Sequence, residues 1–214
     1  MTTYNDQISQ YISSLFAEEN SALQQAREES PKLGLPAINI KPEEGRFLQF
    51  LACASGARKA VEIGTLGGYS GIWIAHGLHP GGKLYTLDKE SRHAEVARAH
   101  FAAAGLSDVT EVLVGDAHSV LFELSDQGPF DFVFIDAEKP GYPAYFDWAI
   151  ANTRLGGIIA AHNAFRKGTV AGLGQDDTHS ELMRQFNQQV ASDERLISTI
   201  YPAGDGTLIS VKVG

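Results

Sequence analysis

VEIGTLGGYSG, residues Val61–Gly71, joins the end of an apolar strand to the start of a helix through a glycine-rich turn. Downstream of it, short apolar runs alternate with amphipathic segments. The apolar runs are nearly continuous, which is typical of a parallel sheet that is covered by helices on both faces. The predicted strands are Ala60–Ile63, Leu84–Leu87, Val109–Val114, Phe132–Ile135 and Gly157–Ala161, and the predicted helices between them are Tyr69–His76, Arg92–Ala104, Ala117–Leu124 and Tyr142–Ala151.

The two ends of the chain complete the predicted fold. Upstream, apolar residues at helical spacing predict one helix over residues 4–28 that Ser30-Pro31 ends, then a loop from Pro31 to Ile40 and a second helix, Pro42–Ala54. Downstream, a helix near Ser180–Val190 precedes two apolar runs around a short turn, which predicts an antiparallel hairpin. These runs are Arg195–Tyr201 and Thr207–Val213. We therefore expect one α/β domain over residues 1–214, with a doubly wound, mostly parallel, seven-stranded sheet that ends in the hairpin.

Composition and charge exclude several classes of protein. The 214 residues carry 17 basic and 26 acidic side chains, a net charge of −9, which disfavours nucleic-acid binding and suits a neutral or cationic small ligand. No apolar run is long enough to span a bilayer and no secretion signal is evident, so we expect a cytoplasmic protein with no membrane partner. The single cysteine, Cys53, excludes an internal disulfide and is expected to be a small core residue.

Acidic residues follow the predicted strands at the edge where an open α/β sheet binds its ligands. Glu62, Asp88, Asp116 and Asp136 stand at four of the five strand ends. The glycine turn lacks the dinucleotide fingerprint G-x-G-x-x-G, because Leu66 replaces the second glycine. Glu62 would repel a pyrophosphate but would attract an ammonium group. An ordinary strand–helix turn with solvated loop carboxylates is the alternative.

The next two carboxylates suit a nucleoside. Asp88, at the end of the second strand, can accept hydrogen bonds from both hydroxyls of a ribose. Asp116 can accept from an adenine amino group while Ala117 offers its backbone N–H, although Asp116 can also simply cap the following helix. An adenosine joined to a cationic amino-acid tail fits these groups, and S-adenosylmethionine is such a molecule.

At this point the sequence resembles the class I methyltransferases, and more narrowly the cation-dependent catechol and caffeoyl-CoA O-methyltransferase family. The resemblance rests on a series of blocks in the family's order, from about Lys41 to the C-terminus. These blocks are KPEEGRFLQFL, VEIGTLGGYSG, LYTLDKE, GDA, FDFVFIDAEKPGYPAYF, GGIIAAHN and PAGDG. It implies a Rossmann-like methyltransferase fold, a homodimer, S-adenosylmethionine as methyl donor and a small aromatic diol as acceptor.

The resemblance also implies the site residues. The donor site would comprise Ile40, Glu62, Gly64, Thr65, Ser70, Asp88, Asp116, Ala117, Asp136, Glu138 and Tyr145. Tyr142 would line the donor pocket beside Tyr145, and Lys139 would be the general base. The acceptor pocket would be formed by the N-terminal helix, the loop from Pro31 to Ile40 and a glycine-containing lid over residues 164–177.

A divalent cation is also implied, with Asp136, His162 and Asn163 as its ligands. The family's second ligand is normally an aspartate, so His162 is a departure that removes a negative charge and an oxygen ligand. The cation is expected to be magnesium or manganese, with weaker binding of magnesium and a shift toward manganese, iron, cobalt, nickel or zinc. A cation on both catechol oxygens would favour the phenolate, and Lys139 would take its proton.

Two alternatives stay open at this point. One is a module that binds the methyl donor but whose catalysis is lost or independent of metal, as the replacement of the usual aspartate by His162 would indicate. The other is a nucleotide-dependent oxidoreductase, against which Glu62 and the missing second glycine speak. His118 is expected to be a helix-start residue, and His76, His79, His93, His100 and His179 are expected to be exposed.

Overall fold

The computed structural model describes residues 4–214 and contains a seven-stranded sheet. The strands are β1 (Lys59–Ile63), β2 (Lys83–Asp88), β3 (Thr110–Val114), β4 (Phe130–Ile135), β5 (Thr153–Ala161), β6 (Leu196–Tyr201) and β7 (Thr207–Lys212). Their spatial order is β3-β2-β1-β4-β5-β7-β6. The first five strands pair in parallel, while β7 runs antiparallel to β5 and β6. The predicted fold class is therefore confirmed, including the C-terminal hairpin.

Helices cover both faces of this sheet, in two separate apolar clusters. The helices are α1 (Asp6–Phe16), α2 (Ser21–Lys32), α3 (Pro42–Ala54), α4 (Tyr69–Gly77), α5 (Ser91–Ala103), α6 (Ala117–Leu124), α7 (Tyr142–Asn152) and α8 (Ser180–Ala191). One cluster packs Trp73 and Phe101 against the sheet, and the other packs Tyr142 and Phe186 against the opposite face. Burial on both sides explains why β4 is apolar except for Asp131.

The N-terminal region differs from the prediction, since residues 4–28 do not form one helix. α1 ends at Phe16 and α2 begins after Asn20, whose side chain accepts a hydrogen bond from the Leu23 N–H at 3.0 Å and caps the new helix. α2 also continues through Pro31, which occupies its last turn. Apolar residues follow helical spacing before and after residue 20, but Asn20 caps a new helix and separates the two.

Two further expectations are wrong. Cys53 is exposed, because α3 turns Leu48, Leu51 and Ala52 toward the core and leaves Cys53 outside. His100 is buried in the core. Its Nδ1 atom lies 2.8 Å from the carbonyl oxygen of Gly67, so this ring nitrogen has a hydrogen-bond partner there. Within residues 4–214, no helix is long and apolar enough to span a membrane.

Candidate active site

The crevice at the carboxyl ends of the parallel strands contains a cavity of about 850 Å³. It lies where the strand order reverses between β1 and β4, as expected for an open α/β sheet. Nearly all of the site residues predicted from the sequence line it. They are Ile40, Gly64, Thr65, Ser70, Asp88, Asp116, Ala117, Asp136, Glu138, Lys139, Tyr145, His162 and Asn163.

The glycine turn brings the ends of β1 and β4 into contact. Gly64 has a φ of +107°, and a Cβ atom there would overlap the backbone carbonyl of Asp136. The amides of Gly64 and Thr65 both donate to the carbonyl of Leu87 at the end of β2, at 2.9 and 3.1 Å. The turn thus holds three strand ends together, and Asp88 and Asp136 face the same cavity.

Glu62 and Tyr142 are predicted at the donor site but do not line the cavity. The Glu62 side chain is fully buried and accepts hydrogen bonds from the hydroxyls of Ser70 at 2.5 Å and Thr86 at 2.6 Å. Burial raises the pKa of Glu62 to about 7, with Asp136 and Asp88 also raising it and the two hydroxyl contacts lowering it. The expected direct contact with a ligand is therefore corrected: Ser70 lies on the cavity wall, and Glu62 stands behind it.

Asp88 is held in place by the backbone around it. One carboxylate oxygen accepts from the Leu66 amide at 2.8 Å, and the other accepts from the Glu90 amide at 2.9 Å. The Nδ1 atom of His93 lies 3.1 Å from that second oxygen, so His93 is half-buried rather than exposed as predicted. The carboxylate is consequently fixed at the cavity wall before any ligand arrives.

Asp116 takes the capping role that the sequence left open. Its side chain accepts a hydrogen bond from the Ser119 amide at 3.1 Å and is the N-cap of α6. It also lines the cavity together with Ala117, so capping and ligand contact are compatible at this position.

Glu138 and Tyr145 form a pair on the same wall. The Tyr145 hydroxyl donates a short hydrogen bond to Glu138, and the His118 ring packs on the tyrosine with 5.1 Å between centroids. Partial burial and the Glu138 carboxylate raise the pKa of Tyr145, so the phenol stays neutral. Tyr142, predicted beside it, is fully buried and lies behind Lys139 instead.

Lys139 lies at the floor of the cavity, in a short 3₁₀ turn after β4. Its ammonium group donates to the hydroxyl of Tyr142 at 2.6 Å and to the carbonyl of Ala137 at 2.9 Å, and it lies 3.7 Å from Asp136. Burial lowers the pKa of Lys139, and Arg166 lowers it further, while Asp136 opposes the change. A buried lysine of this kind is suited to accept a proton.

His162 is clamped between two carboxylates. Its Nε2 atom lies 2.9 Å from Glu44 Oε1, and its Nδ1 atom lies 3.2 Å from Asp136 Oδ2. Burial lowers the pKa of His162, but Asp136 and Glu44 outweigh it and raise that pKa to about 10. The same imidazolium, with Lys139, lowers the pKa of Asp136 against the effect of burial. His162 is therefore a cation at neutral pH.

Asn163 lines the cavity next to this group. Its backbone has a φ of +58°, and its side-chain amide donates to Asp205 at 3.1 Å. Between residues 4 and 214 there is no group of three or more histidine, cysteine, aspartate or glutamate side chains arranged to hold a metal ion. As placed, Asp136, His162 and Asn163 do not fit the divalent-cation site that the sequence predicts, because both ring nitrogens of His162 already face carboxylate oxygens.

The predicted lid, residues 164–177, borders the acceptor side of the cavity. Arg166 and Lys167 line it, and Arg166 is paired with Asp177 at 2.7 Å. Asp205, from the hairpin turn, accepts a hydrogen bond from the Lys167 amide. The first residues of the segment are thus linked to its last residue, Asp177, and to the hairpin turn, while residues 171–176 are exposed.

Sequence reasoning missed three residues of this site: Glu44, His93 and Asp205. Glu44 lies 118 positions before His162, and nothing in its spacing links the two. Asp205 did carry a signal, since an aspartate between two glycines of a hairpin is held on a sharply turned backbone.

Comparison with known proteins agrees with this geometry. The family model described as O-methyltransferase matches residues 13–213. A catechol O-methyltransferase of Niastella koreensis is 38% identical over 197 residues, which are 91% of this chain and 89% of that protein. One from Mycobacterium tuberculosis is 40% identical over 189 residues, covering 88% and 85%. The solved O-methyltransferase of Bacillus cereus in complex with SAH superposes with a TM-score of 0.89 at 37% identity, covering 96% of this chain and 97% of that one. On the strength of this site and these matches, the chain belongs to the O-methyltransferase family, whose methyl donor is S-adenosylmethionine.

Proposed function

We propose that the protein transfers a methyl group from S-adenosylmethionine to one hydroxyl of a catechol-like aromatic diol. The observation that carries the proposal is a single cavity with a fixed carboxylate, Asp88, on one wall and a buried lysine, Lys139, at its floor. The first group suits a ribose and the second suits a hydroxyl that must lose its proton.

The donor side follows from the walls of the cavity. Asp88 would accept both ribose hydroxyls, while Asp116 and the Ala117 amide would meet the adenine. Ser70 would contact the amino-acid end of the donor, and the Glu62 carboxylate behind it would add negative charge where the donor is cationic. The SAH complex of the Bacillus cereus relative supports this assignment, because SAH is what remains of the donor after transfer.

The acceptor side follows from Lys139. The acceptor oxygen attacks the methyl carbon, a C–O bond forms, and the C–S bond breaks with its electron pair moving to the sulfonium sulfur, which becomes neutral. The hydroxyl proton goes to Lys139 Nζ, which must be unprotonated beforehand. Burial favours that neutral form, and the fixed hydrogen bonds to Tyr142 and Ala137 aim the amine.

A catechol is proposed as acceptor because two relatives named catechol O-methyltransferase match most of the chain. The divalent cation expected from the sequence has no step in this proposal, since the donor set at Asp136, His162 and Asn163 does not fit it. A bound diol would instead meet Lys139 and the fixed charges of Asp136 and His162.

A methylation screen tests the proposal. The protein is incubated with labelled S-adenosylmethionine and with catechol, caffeoyl esters or flavonoids, and products are identified by mass. We expect monomethylated catechols, and we expect Lys139→Met to abolish them while leaving SAH binding intact. Tight NADH binding without any response to S-adenosylmethionine would favour the oxidoreductase alternative and end the proposal.

A further inference from the structure

The ring of His162 is held on both sides by carboxylates from different parts of the fold. Glu44 comes from the first turn of α3, and Asp136 follows β4. We infer that this Glu44–His162–Asp136 bridge occupies the place of a divalent cation and that methyl transfer by this protein needs no metal. The inference rests on the proposed function for its catalytic part only.

The bridge leaves His162 without a free lone pair. A metal ligand must offer the lone pair of an unprotonated ring nitrogen, and the metal must lie along it. Here an oxygen already lies in that direction at each nitrogen, at 2.9 Å from Nε2 and 3.2 Å from Nδ1. The imidazolium form, with a hydrogen on each nitrogen, satisfies both contacts.

Neither carboxylate is free to swing aside. Glu44 is buried, and its second oxygen accepts the Lys41 amide at 2.9 Å as part of the start of α3. Gly204 of the hairpin turn packs so closely on Glu44 that a Cβ atom at position 204 would overlap its carboxylate. The other oxygen of Asp136, Oδ1, is paired with Lys139 Nζ at 3.7 Å.

Basic side chains already stand next to both carboxylates. His162 lies between Glu44 and Asp136, and Lys139 Nζ lies 3.7 Å from Asp136. A divalent ion would have to displace the histidine ring to reach both carboxylates. The ring provides beside the acceptor the positive charge that a metal would otherwise supply.

Binding of Mn²⁺ tests the inference independently of activity. Free Mn²⁺ is followed by its electron paramagnetic resonance signal during titration of the full-length protein in the presence of SAH. We expect the wild-type signal to match that of buffer, whereas His162→Asp, which restores an oxygen ligand, should remove one Mn²⁺ per chain. His79→Asp is the matched control, because His79 is exposed at the opposite edge of the sheet and should leave the signal unchanged.

Should His162→Asp fail to fold, His162→Asn is titrated in the same way, since it also releases both carboxylates. Stoichiometric Mn²⁺ binding by the wild type would overturn the inference. If either variant folds but does not bind Mn²⁺, His162 is not the residue that keeps the metal ion out.

Activity gives the second readout. With a catechol acceptor, we expect the wild-type rate in EDTA to stay within about twofold of the rate in Mg²⁺ or Mn²⁺. A loss of about tenfold or more in EDTA, which is typical when a metal stabilises the transition state, would overturn the inference. If no catechol is methylated under any condition, the proposed acceptor is wrong, and the Mn²⁺ titration still decides the inference.

Discussion

Replacing Glu62 by glutamine is expected to stabilise the protein above neutral pH and to leave its stability nearly unchanged in acid. The change keeps the shape of the side chain and removes only its charge. The amide oxygen can still accept from the Ser70 hydroxyl, and the amide nitrogen can donate to Thr86, whose hydroxyl can then donate to Thr65 at 2.6 Å. Both hydroxyl contacts of residue 62 can therefore be kept, and the substitution acts mainly through the charge.

The magnitude follows from the pKa of Glu62, which burial raises from the ordinary 4.5 to about 7 in the folded protein. Between these values the folded protein holds the proton and the unfolded chain does not, so the free energy of unfolding of the wild type falls as the pH rises. The contribution is fully present below pH 4.5 and lost above pH 7. At about 1.4 kcal/mol per unit of pKa, the loss amounts to about 3 kcal/mol.

Urea unfolding of both proteins at several pH values between 4 and 8.5, without donor, measures the difference. We expect Glu62→Gln and the wild type to agree near pH 4 and to diverge to about 3 kcal/mol by pH 8, which corresponds to roughly 6–12 °C in Tm. Glu194→Gln, at an exposed carboxyl group, is the matched control. A stability difference that stays flat with pH, or that favours the wild type at pH 8, would refute the buried-carboxyl argument.

Three further predictions concern the base, the donor and the hairpin. Lys139→Met should lower kcat by about 10²–10⁴-fold. In the wild type, kcat should rise with pH around a midpoint below the ordinary lysine pKa of 10.5, and the variant should lose this rise. A pH–rate profile of both proteins checks the two expectations. Asp88→Asn should weaken SAH binding by about tenfold to a hundredfold by calorimetry, because a hydrogen bond to a charged group is lost, and unchanged affinity would remove the ribose assignment. In thermal unfolding, Gly204→Ala should destabilise the protein by at least about 1 kcal/mol more than Gly56→Ala. Both glycines have a positive φ, but only Gly204 packs against Glu44. Equal effects of the two substitutions would show that the contact with Glu44 is unimportant.

The sheet could be predicted from the sequence because each strand is marked by its own short run of neighbouring residues. Continuous apolar runs such as Phe132–Ile135 mark buried strands, and their carboxyl ends mark the ligand edge. The same logic placed Asp88, Asp136 and Lys139 around one cavity, as the structure has them. The N-terminal helix was misjudged because a cap at Asn20 interrupts an otherwise uniform periodicity.

Contacts between distant segments could not be predicted. The partner of His162 lies on α3, far away in sequence, and only the folded chain shows that both ring nitrogens are occupied. Glu62 was expected to meet the ligand because a strand end faces the crevice. A side chain at that position can also point inward, and the hydroxyls of Ser70 and Thr86 hold this one inside.

A crystal structure of the protein with SAH and a catechol tests the central claim most directly. The account predicts the two ribose hydroxyls within about 3 Å of the Asp88 carboxylate and one catechol hydroxyl within hydrogen-bond distance of Lys139 Nζ, on the sulfur side of SAH. A complex in which the adenosyl group lies outside this cavity, or in which the catechol lies away from Lys139, would contradict it.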